Sequence, residues 1–281
     1  MTRSITAATR VAGIIGDPVA HSLSPTIHNA AFDASSLDWV YVAFPVPAGA
    51  GAEAVRAMRM LGLGGLSVTM PHKVDAAAAC DELSDDARTL GSVNTIVPLV
   101  SGGLRGESTD GDGFLRALAA EDFQPDGRPC LVLGAGGAAR AIVLALGRAG
   151  ANVTVAARRA DAARAAAALA VGSRTIDLEA IGTAVAGAEL IVNATPLGMN
   201  RELPPFDPSL LHKHQVILDA VYFPSETPLI AAARACGARA TNGLAMLVHQ
   251  AALQFELWTG QRAPLDEMRM AAMLAVEARV S

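Results

Sequence analysis

One stretch, Cys130–Arg159 (CLVLGAGGAARAIVLALGRAGANVTVAARR), constrains the fold of this chain more than any other. An apolar run of four residues after Pro129 predicts a buried strand, and Gly134, Gly136 and Gly137 predict a tight turn. Ala138 to Arg148 carries apolar residues at helical spacing, Gly150 stops that helix, and Asn152–Ala156 reads as a second buried strand. Strand, glycine turn, helix and strand in this order make a dinucleotide-binding βαβ unit. The turn fits G-x-G-x-x-A from Gly134 to Ala139, so backbone N–H groups at a helix start can face a pyrophosphate. A turn serving only packing is the alternative, and the complete βαβ context weighs against it.

The end of the second strand chooses the cofactor. An acidic residue there would hold a ribose 2′-hydroxyl and indicate NAD. This chain has Ala157-Arg158-Arg159 instead, two guanidinium groups suited to a 2′-phosphate. Two solvated arginines are the plainer reading, but positive charge at a helix start is mildly unfavourable. Asp161, the rival acidic residue, falls inside the next helix. NADP is therefore the expected cofactor.

Composition excludes several classes. Hydrophobic residues make up 52% and charged residues 17% of the 281, which excludes a disordered chain. No apolar run reaches membrane-spanning length, and MTRSITAATR lacks the apolar core of a signal peptide, so a cytoplasmic location is expected. With a net charge of −5 and no basic block, nucleic acid is not an expected partner. Cys80, Cys130 and Cys236 are odd in number and dispersed, which argues against disulfides and zinc. His212 and His214 flank Lys213 in an expected surface turn, and no metal is expected. Of 22 basic residues only Lys73 and Lys213 are lysines. An amine can be tuned to give up and retake a proton, whereas arginine cannot, which draws attention to Lys73.

In chain order, residues 11–16 predict a strand. The polar loop His21-Ser22-Leu23-Ser24 then leads into a helix near Pro25, with Ser24 expected as its N-cap. Ser22 and Ser24 beside a helix start suit a carboxylate. Strands are expected over Asp38–Phe44 and Gly64–Thr69, with a helix over 50–61 between them. Thr69 and Lys73 then fall at a strand end and just inside the following helix, where open α/β sheets build their sites. A helix around 82–90, the segment Ser92-Val93-Asn94-Thr95, strands at Ile96–Val100 and Leu104–Glu107, and a helix entered through Asp110 follow. Asp110 alone would read as a helix cap. Beyond the βαβ unit come a helix at Ala160–Ala170 and strands at Glu189–Ala194 and Gln215–Val221, implying a parallel sheet. Helices at 243–258 and 264–279 close the chain. Gly243 is expected as a hinge-like crossing point, with these helices returning to the first domain.

These motifs resemble the shikimate dehydrogenase family from near the N-terminus to the last helices. The matching segments are His-Ser-x-Ser-Pro at 21–25, Val-Thr-x-Pro-x-Lys at 68–73, Val-Asn-Thr at 93–95 and Thr-Asp-x-x-Gly at 109–113. They continue with the glycine turn at 134–140, Asn-Ala-Thr-Pro-x-Gly-Met at 193–199, Tyr-x-Pro at 222–224, Thr-Pro-Leu at 227–229 and Gly-Leu-x-Met-Leu-Val-x-Gln at 243–250. The resemblance implies an α/β fold: an N-terminal α/β substrate domain over 1–110, with 243–281 packing back on it, and a Rossmann-like NADP-binding domain over 111–242. A substrate cleft would lie between them. It implies reversible, NADP-dependent reduction of 3-dehydroshikimate to shikimate, a step of aromatic amino acid biosynthesis, in a monomer or homodimer. Lys73 and Asp110 would be the catalytic pair. Ser22, Ser24, Thr69, Asn94, Tyr222 and Gln250 would bind substrate alongside them. Gly134, Ala135, Gly136, Gly137, Ala138, Arg158, Arg159, Asp85, Ala220 and Gly243 would contact the cofactor; for Asp85 the alternative is that it only shapes the cleft.

The chain departs from the common pattern at Ser67 and Ser108, where the family usually has Asn. It departs also at Ser92, for Ala, and at Ala157 and Arg159, for the outer residues of Asn-Arg-Thr. The first two flank the substrate positions, so quinate and aminoshikimate are alternative substrates. A non-catalytic module binding NADP or a shikimate-like ligand is the reading from another class; the presence of both Lys73 and Asp110 weighs against it.

Overall fold

The computed structural model describes residues 4–279. The chain divides into two compact units, one made of 1–109 and 248–281 and the other of 110–247. In the first unit β1 (Arg10–Gly16), α1 (Ser24–Ala34), β2 (Trp39–Pro45), α2 (Gly51–Leu61), β3 (Gly65–Val68) and α3 (Lys73–Ala78) alternate in order. Then come β4 (Glu82–Leu83), α4 (Asp85–Leu90), β5 (Thr95–Pro98) and β6 (Leu104–Glu107). The sheet order is β2-β1-β3-β5-β6-β4, with β2, β1 and β3 parallel and β5 antiparallel to both its neighbours.

The second unit runs α5 (Asp110–Ala119), β7 (Pro129–Leu133), α6 (Gly137–Arg148), β8 (Asn152–Ala156), α7 (Ala160–Ala167) and β9 (Arg174–Ile176). It continues with α8 (Ile181–Gly187), β10 (Leu190–Asn193), β11 (Val216–Asp219), α9 (Pro228–Ala235) and β12 (Arg239–Asn242). Its strands lie in the order β12-β11-β10-β7-β8-β9, every pair parallel. The chain order reverses between β7 and β10, the switch point at which doubly wound sheets leave a crevice beyond their strand ends. Helix α10 (Leu244–Thr259) begins in the second unit and ends in the first, and α11 (Leu265–Glu277) belongs to the first, where it packs on α1.

Side-chain alternation along β3 explains how the first sheet is covered. Leu66 and Val68 face a core shared with Val55 and Met58 of α2 and Ala76 of α3. Gly65 and Ser67 face the other way: the backbone of Gly65 lies under the Trp258 indole, whose Nε1–H donates to the Ile96 carbonyl at 3.0 Å. Aromatic rings from three segments fill this face, with Phe32 against Trp39 and Phe255 and His28 against Tyr41 and Trp258. In the second unit, Val132, Val153, Leu190 and Val216 pack with Ile142 and Val143 of α6 and with the alanines of α7. Methyl-sized side chains let α7 lie close to the sheet, which accounts for its alanine content.

Three expectations are corrected and two strands are added. Residues 82–90 are not one helix: Glu82 and Leu83 pair with Arg105 and Gly106 of β6, and α4 starts only at Asp85, where the Ser84 hydroxyl accepts from Ala87 N–H at 3.3 Å. Ser24 is the first residue of α1 rather than its N-cap; Leu23 takes that place in a helical conformation. The helix from Ala160 ends at Ala167, whose carbonyl accepts from the Ser173 hydroxyl just after the left-handed Gly172. The strands β9 and β12 add edges to the second sheet that the apolar pattern does not announce.

A Cβ on Gly65 would stand 2.4 Å from the Trp258 ring, a rigid neighbour that cannot swing aside. Gly65→Ala should therefore destabilise the first unit by about 1–3 kcal/mol, the range for overpacking a close-packed contact. A urea titration followed by Trp fluorescence reads it; an unchanged midpoint would mean that α10 can move off the sheet without cost.

Candidate functional site

Strand direction gathers the first unit's candidate residues at one end of its sheet. The parallel strands β1 and β3 finish there, and β5, antiparallel to β3, starts there. Ser22 and Ser24 follow β1, Thr69 and Lys73 follow β3, and Asn94 immediately precedes β5. Backbone bonds lock these segments together. Thr69 N–H donates to Ile15 C=O at 3.0 Å, Val68 N–H to Asn94 C=O at 2.8 Å, and Val93 N–H to Lys73 C=O at 3.0 Å. A Cβ on Gly16 would stand 2.4 Å from the Thr69 methyl carbon, so β1 must end in glycine for Thr69 to occupy its place.

Lys73 opens α3, and the residue before it anchors the turn. His72 is fully buried; its Nε2 lies 2.8 Å from the Val46 carbonyl and its Nδ1 has no hydrogen-bond partner, so Nε2 carries the proton and donates. The Nδ1 of the same ring lies 3.0 Å from where a Gly51 Cβ would be. His72 is a residue that the sequence reading passed over, and it wedges the β3–α3 turn in place.

The two serines have different surroundings. Ser22 is half-buried and its Oγ accepts from Ser24 N–H at 3.2 Å. Ser24 is buried near the Tyr41 hydroxyl, which donates to Ser67 Oγ at 2.6 Å. Burial pushes the Tyr41 phenol well above its ordinary range, so it stays protonated. Asn94 is buried, with its Oδ1 accepting from Thr109 N–H at 2.8 Å and its Nδ2 donating to Thr109 Oγ1 at 3.0 Å. Gln250 is buried on α10, one turn before Gln254, which joins Ser67 and Thr95. Gln254 is a second residue that sequence reasoning missed.

In the second unit the expected cofactor residues all follow C-terminal ends of the parallel sheet: Gly134 to Ala138 after β7, Arg158 and Arg159 after β8, Ala220 after β11, and Gly243 after β12; Tyr222, expected to bind substrate, also follows β11. Gly134 has φ +113°, and a Cβ there would stand 2.8 Å from the Ala194 carbonyl, so only glycine fits between β7 and β10. Gly243 lies backbone to backbone against Ala220, with a Cβ position 2.1 Å from that carbonyl oxygen. Asp110 opens α5 in this unit. Asp85, in the first unit, is exposed and pairs with Arg88 at 3.0 Å.

The residues present fit a nicotinamide dinucleotide phosphate. Helix α6 has Gly136 as its N-cap with no side chain capping it, and the space around the Gly136 α-carbon is open. Its first N–H groups are thus available to a pyrophosphate. Arg158 and Arg159 are exposed, and neither has an ion-pair partner among the described residues. Asp161 lies in the first turn of α7.

A buried polar cluster shapes the loops beside that crevice. Asp219 accepts from Thr227 Oγ1–H at 2.6 Å, Asn193 Nδ2–H at 2.8 Å and Val221 N–H at 3.1 Å. Burial raises its carboxyl pKa and the three donors oppose that rise. Asn193 in turn holds Thr195 N–H and the Leu197 carbonyl. An acidic residue closing the apolar strand VILD was the available signal. Burial raises the Cys130 thiol to about 12 and the Cys80 thiol to about 11, so neither supplies a thiolate.

The fold and these residues define an NADP-dependent oxidoreductase built from a nucleotide-binding unit and a second α/β unit. Comparison with known proteins agrees. A family model for the shikimate dehydrogenase substrate binding domain matches residues 14–96, and one for the shikimate 5′-dehydrogenase C-terminal domain matches 243–273. Between them, residues 130–222 match a model described as NADP oxidoreductase, coenzyme F420-dependent. The chain is 46% identical to the shikimate dehydrogenase (NADP(+)) of Symbiobacterium thermophilum, over 95% of each chain. It is 44% identical to that of Methanopyrus kandleri, over 96% of this chain and 97% of the other. The solved structure of shikimate 5-dehydrogenase from Thermus thermophilus in complex with NADP(H) and shikimate superposes with a TM-score of 0.87 at 38% identity, covering 95% of this chain and 99% of that one. The chain belongs to the shikimate dehydrogenase family. No helix among the described residues is long and apolar enough to cross a membrane.

His28 gives the first unit an acid-sensitive core. Burial lowers its pKa from 6.5 to about 3, outweighing the hydrogen bond to Gln254. The unfolded chain therefore takes up a proton that the folded chain refuses, and this contribution to stability, full above about pH 6.5, drains away as pH falls toward 3. His28→Phe should be less stable at neutral pH yet lose stability less steeply on acidification, by up to about 1.4 kcal/mol per pH unit. Urea midpoints across that window check it; parallel pH profiles for both proteins would contradict the burial argument.

Proposed function

We propose that this chain catalyses the reversible, NADP-dependent reduction of 3-dehydroshikimate to shikimate. The observation that carries the reading is the convergence of two hydroxyls, Asn94, Thr69 and the Lys73 amine at one sheet end, in a chain that is similar to named shikimate dehydrogenases over nearly its whole length. Ser22 and Ser24 hold the substrate carboxylate. Thr69, Asn94, Tyr222 and Gln250 hold the carboxylate and the ring hydroxyls.

A bound nicotinamide would supply the hydride chemistry, reduced NADPH giving hydride to the carbonyl carbon and NADP+ taking it back from the alcohol carbon. The first amides of α6, with Gly134 to Ala138, hold its pyrophosphate; Arg158 and Arg159 hold the 2′-phosphate; Ala220 and Gly243 border the same strand ends, and Asp85 makes a lesser contact. As the carbonyl oxygen gains negative charge, the Lys73 ammonium donates a hydrogen bond and then its proton, giving the alcohol and a neutral amine. In the reverse direction the neutral amine takes the alcohol proton. Asp110 accepts from the reacting hydroxyl and orients the amine.

Quinate and aminoshikimate are the competing substrates. Ser67, whose departure from the family pattern raised them, turns its hydroxyl into the interior toward Tyr41 and Gln254. The names of the relatives also favour shikimate. Offering shikimate, quinate and aminoshikimate, each with NADP and with NAD, tests the reading; turnover confined to quinate or to aminoshikimate would overturn it.

Two variants test the roles. Lys73→Ala should lower kcat by about 10²–10⁴, the worth of a positioned general acid, with little change in KM for shikimate. Near-normal kcat would remove Lys73 from the mechanism. Arg158→Ala should raise KM for NADP by about one to two powers of ten, the worth of one charge-assisted contact, and leave KM for NAD nearly unchanged. Equal weakening of both cofactors would assign Arg158 to the fold instead.

A further inference from the structure

Ser67, Gln254 and Thr95 form a hydrogen-bond chain whose every direction is fixed by chemistry. The His28 Nδ1 has no partner, so the ring proton sits on Nε2, 3.2 Å from Gln254 Oε1, and donates to it. Ser67 Oγ accepts from Tyr41 and donates to the same Oε1 at 2.8 Å. With its carbonyl end receiving two donors, Gln254 must direct its amide protons to Thr95 Oγ1 at 2.9 Å and Asn94 C=O at 3.3 Å. Thr95 in turn donates to Asn94 Oδ1 at 2.8 Å. That oxygen also accepts from Thr109 N–H, so the Asn94 amide can stand only one way round, with its NH₂ as the donating end. Gln254, Thr95, Ser67 and His28 are all buried, beyond the reach of water as a substitute partner.

We infer that Gln254 is a positioning residue for substrate recognition: through Thr95 it sets the orientation of the Asn94 amide, and through Ser67 it links that amide to Tyr41, beside Ser24. The inference rests on the reading of Asn94 and Ser24 as substrate ligands. It deepens that reading by making a helix residue, four positions after Gln250, decide how the ring hydroxyls and carboxylate are spaced.

The variant Gln254→Met keeps the side-chain length and removes every hydrogen bond. Thr95→Val keeps the shape and removes the one hydroxyl that accepts from Gln254 and donates to Asn94. Each should raise KM for shikimate about tenfold, the worth of one misplaced hydrogen bond, with KM for NADP unchanged within about twofold. The double variant should be no worse than either single one, because both cut the same chain. A residue that merely supports the fold would lower thermal stability and either leave both KM values alone or raise both, and its effects would add. Either pattern overturns the inference. Should Gln254→Met not fold, Thr95→Val decides alone: a KM for shikimate equal to wild type overturns it. Failure of the wild-type protein to turn over shikimate would instead overturn the reading of function, and the inference with it.

Discussion

A backbone group buried in a sheet has already spent its hydrogen bond on a neighbouring strand, so chemistry in an open α/β fold is confined to strand ends. Both units of this chain obey that constraint. In the second, parallel pairing throughout puts the glycine turn, the arginine pair and the Asp219 cluster at one edge. In the first, β5 and β6 run antiparallel, which brings Asn94 and Thr109 to the edge where β1 and β3 finish. Asn94 lies at the start of its strand and Thr69 just past the end of its own, yet reversal of β5 makes them neighbours.

Placing polar side chains at strand ends buries some of them, and a buried polar group without a partner destabilises by about 1–3 kcal/mol. The two units meet this demand alike. Asp219 gathers donors from β10, α9 and its own turn, while Gln254 gathers partners from α1, β3 and β5. Each cluster fixes loop geometry as a by-product of satisfying its own hydrogen bonds. The aromatic face beneath Trp258 helps to bury the Gln254 chain, so its members must be satisfied by protein groups.

Local patterns were legible and long-range pairings were not. The Gly134 turn, the helix after it and Arg158-Arg159 follow from spacing within a few residues, and they stand where periodicity places them. Lys73 stood out because lysine is so scarce in this chain. Residues 82–90 misled because two residues of strand, Glu82 and Leu83, exist only by pairing with β6, which local propensity cannot reveal. The edge strands β9 and β12 carry Arg174, Thr175, Arg239 and Asn242 and bury little, so no apolar run marks them. Ser24 was misplaced as a cap because its burial near Tyr41 depends on β2, which the local pattern around residue 24 does not contain. Gln254 was invisible for the same reason: on an apolar helix it reads as a lone polar residue until His28, Ser67 and Thr95 are brought to it.

In the proposed function the two basic residue types would divide the work along physical lines. A phosphate needs a permanent charge and several donors in a plane, which the guanidinium of Arg158 provides without any burial. A group that must release a proton and recover it cannot be a guanidinium. Lys73 therefore opens a helix whose first residue is held on both sides: by the buried His72 ring against Val46, and by its own carbonyl, which accepts from Val93. Those two contacts fix the backbone at Lys73. On the proposed roles, arginine at 73 would keep the charge and forfeit the proton transfer, while lysine at 158 would keep the charge and forfeit the planar fork.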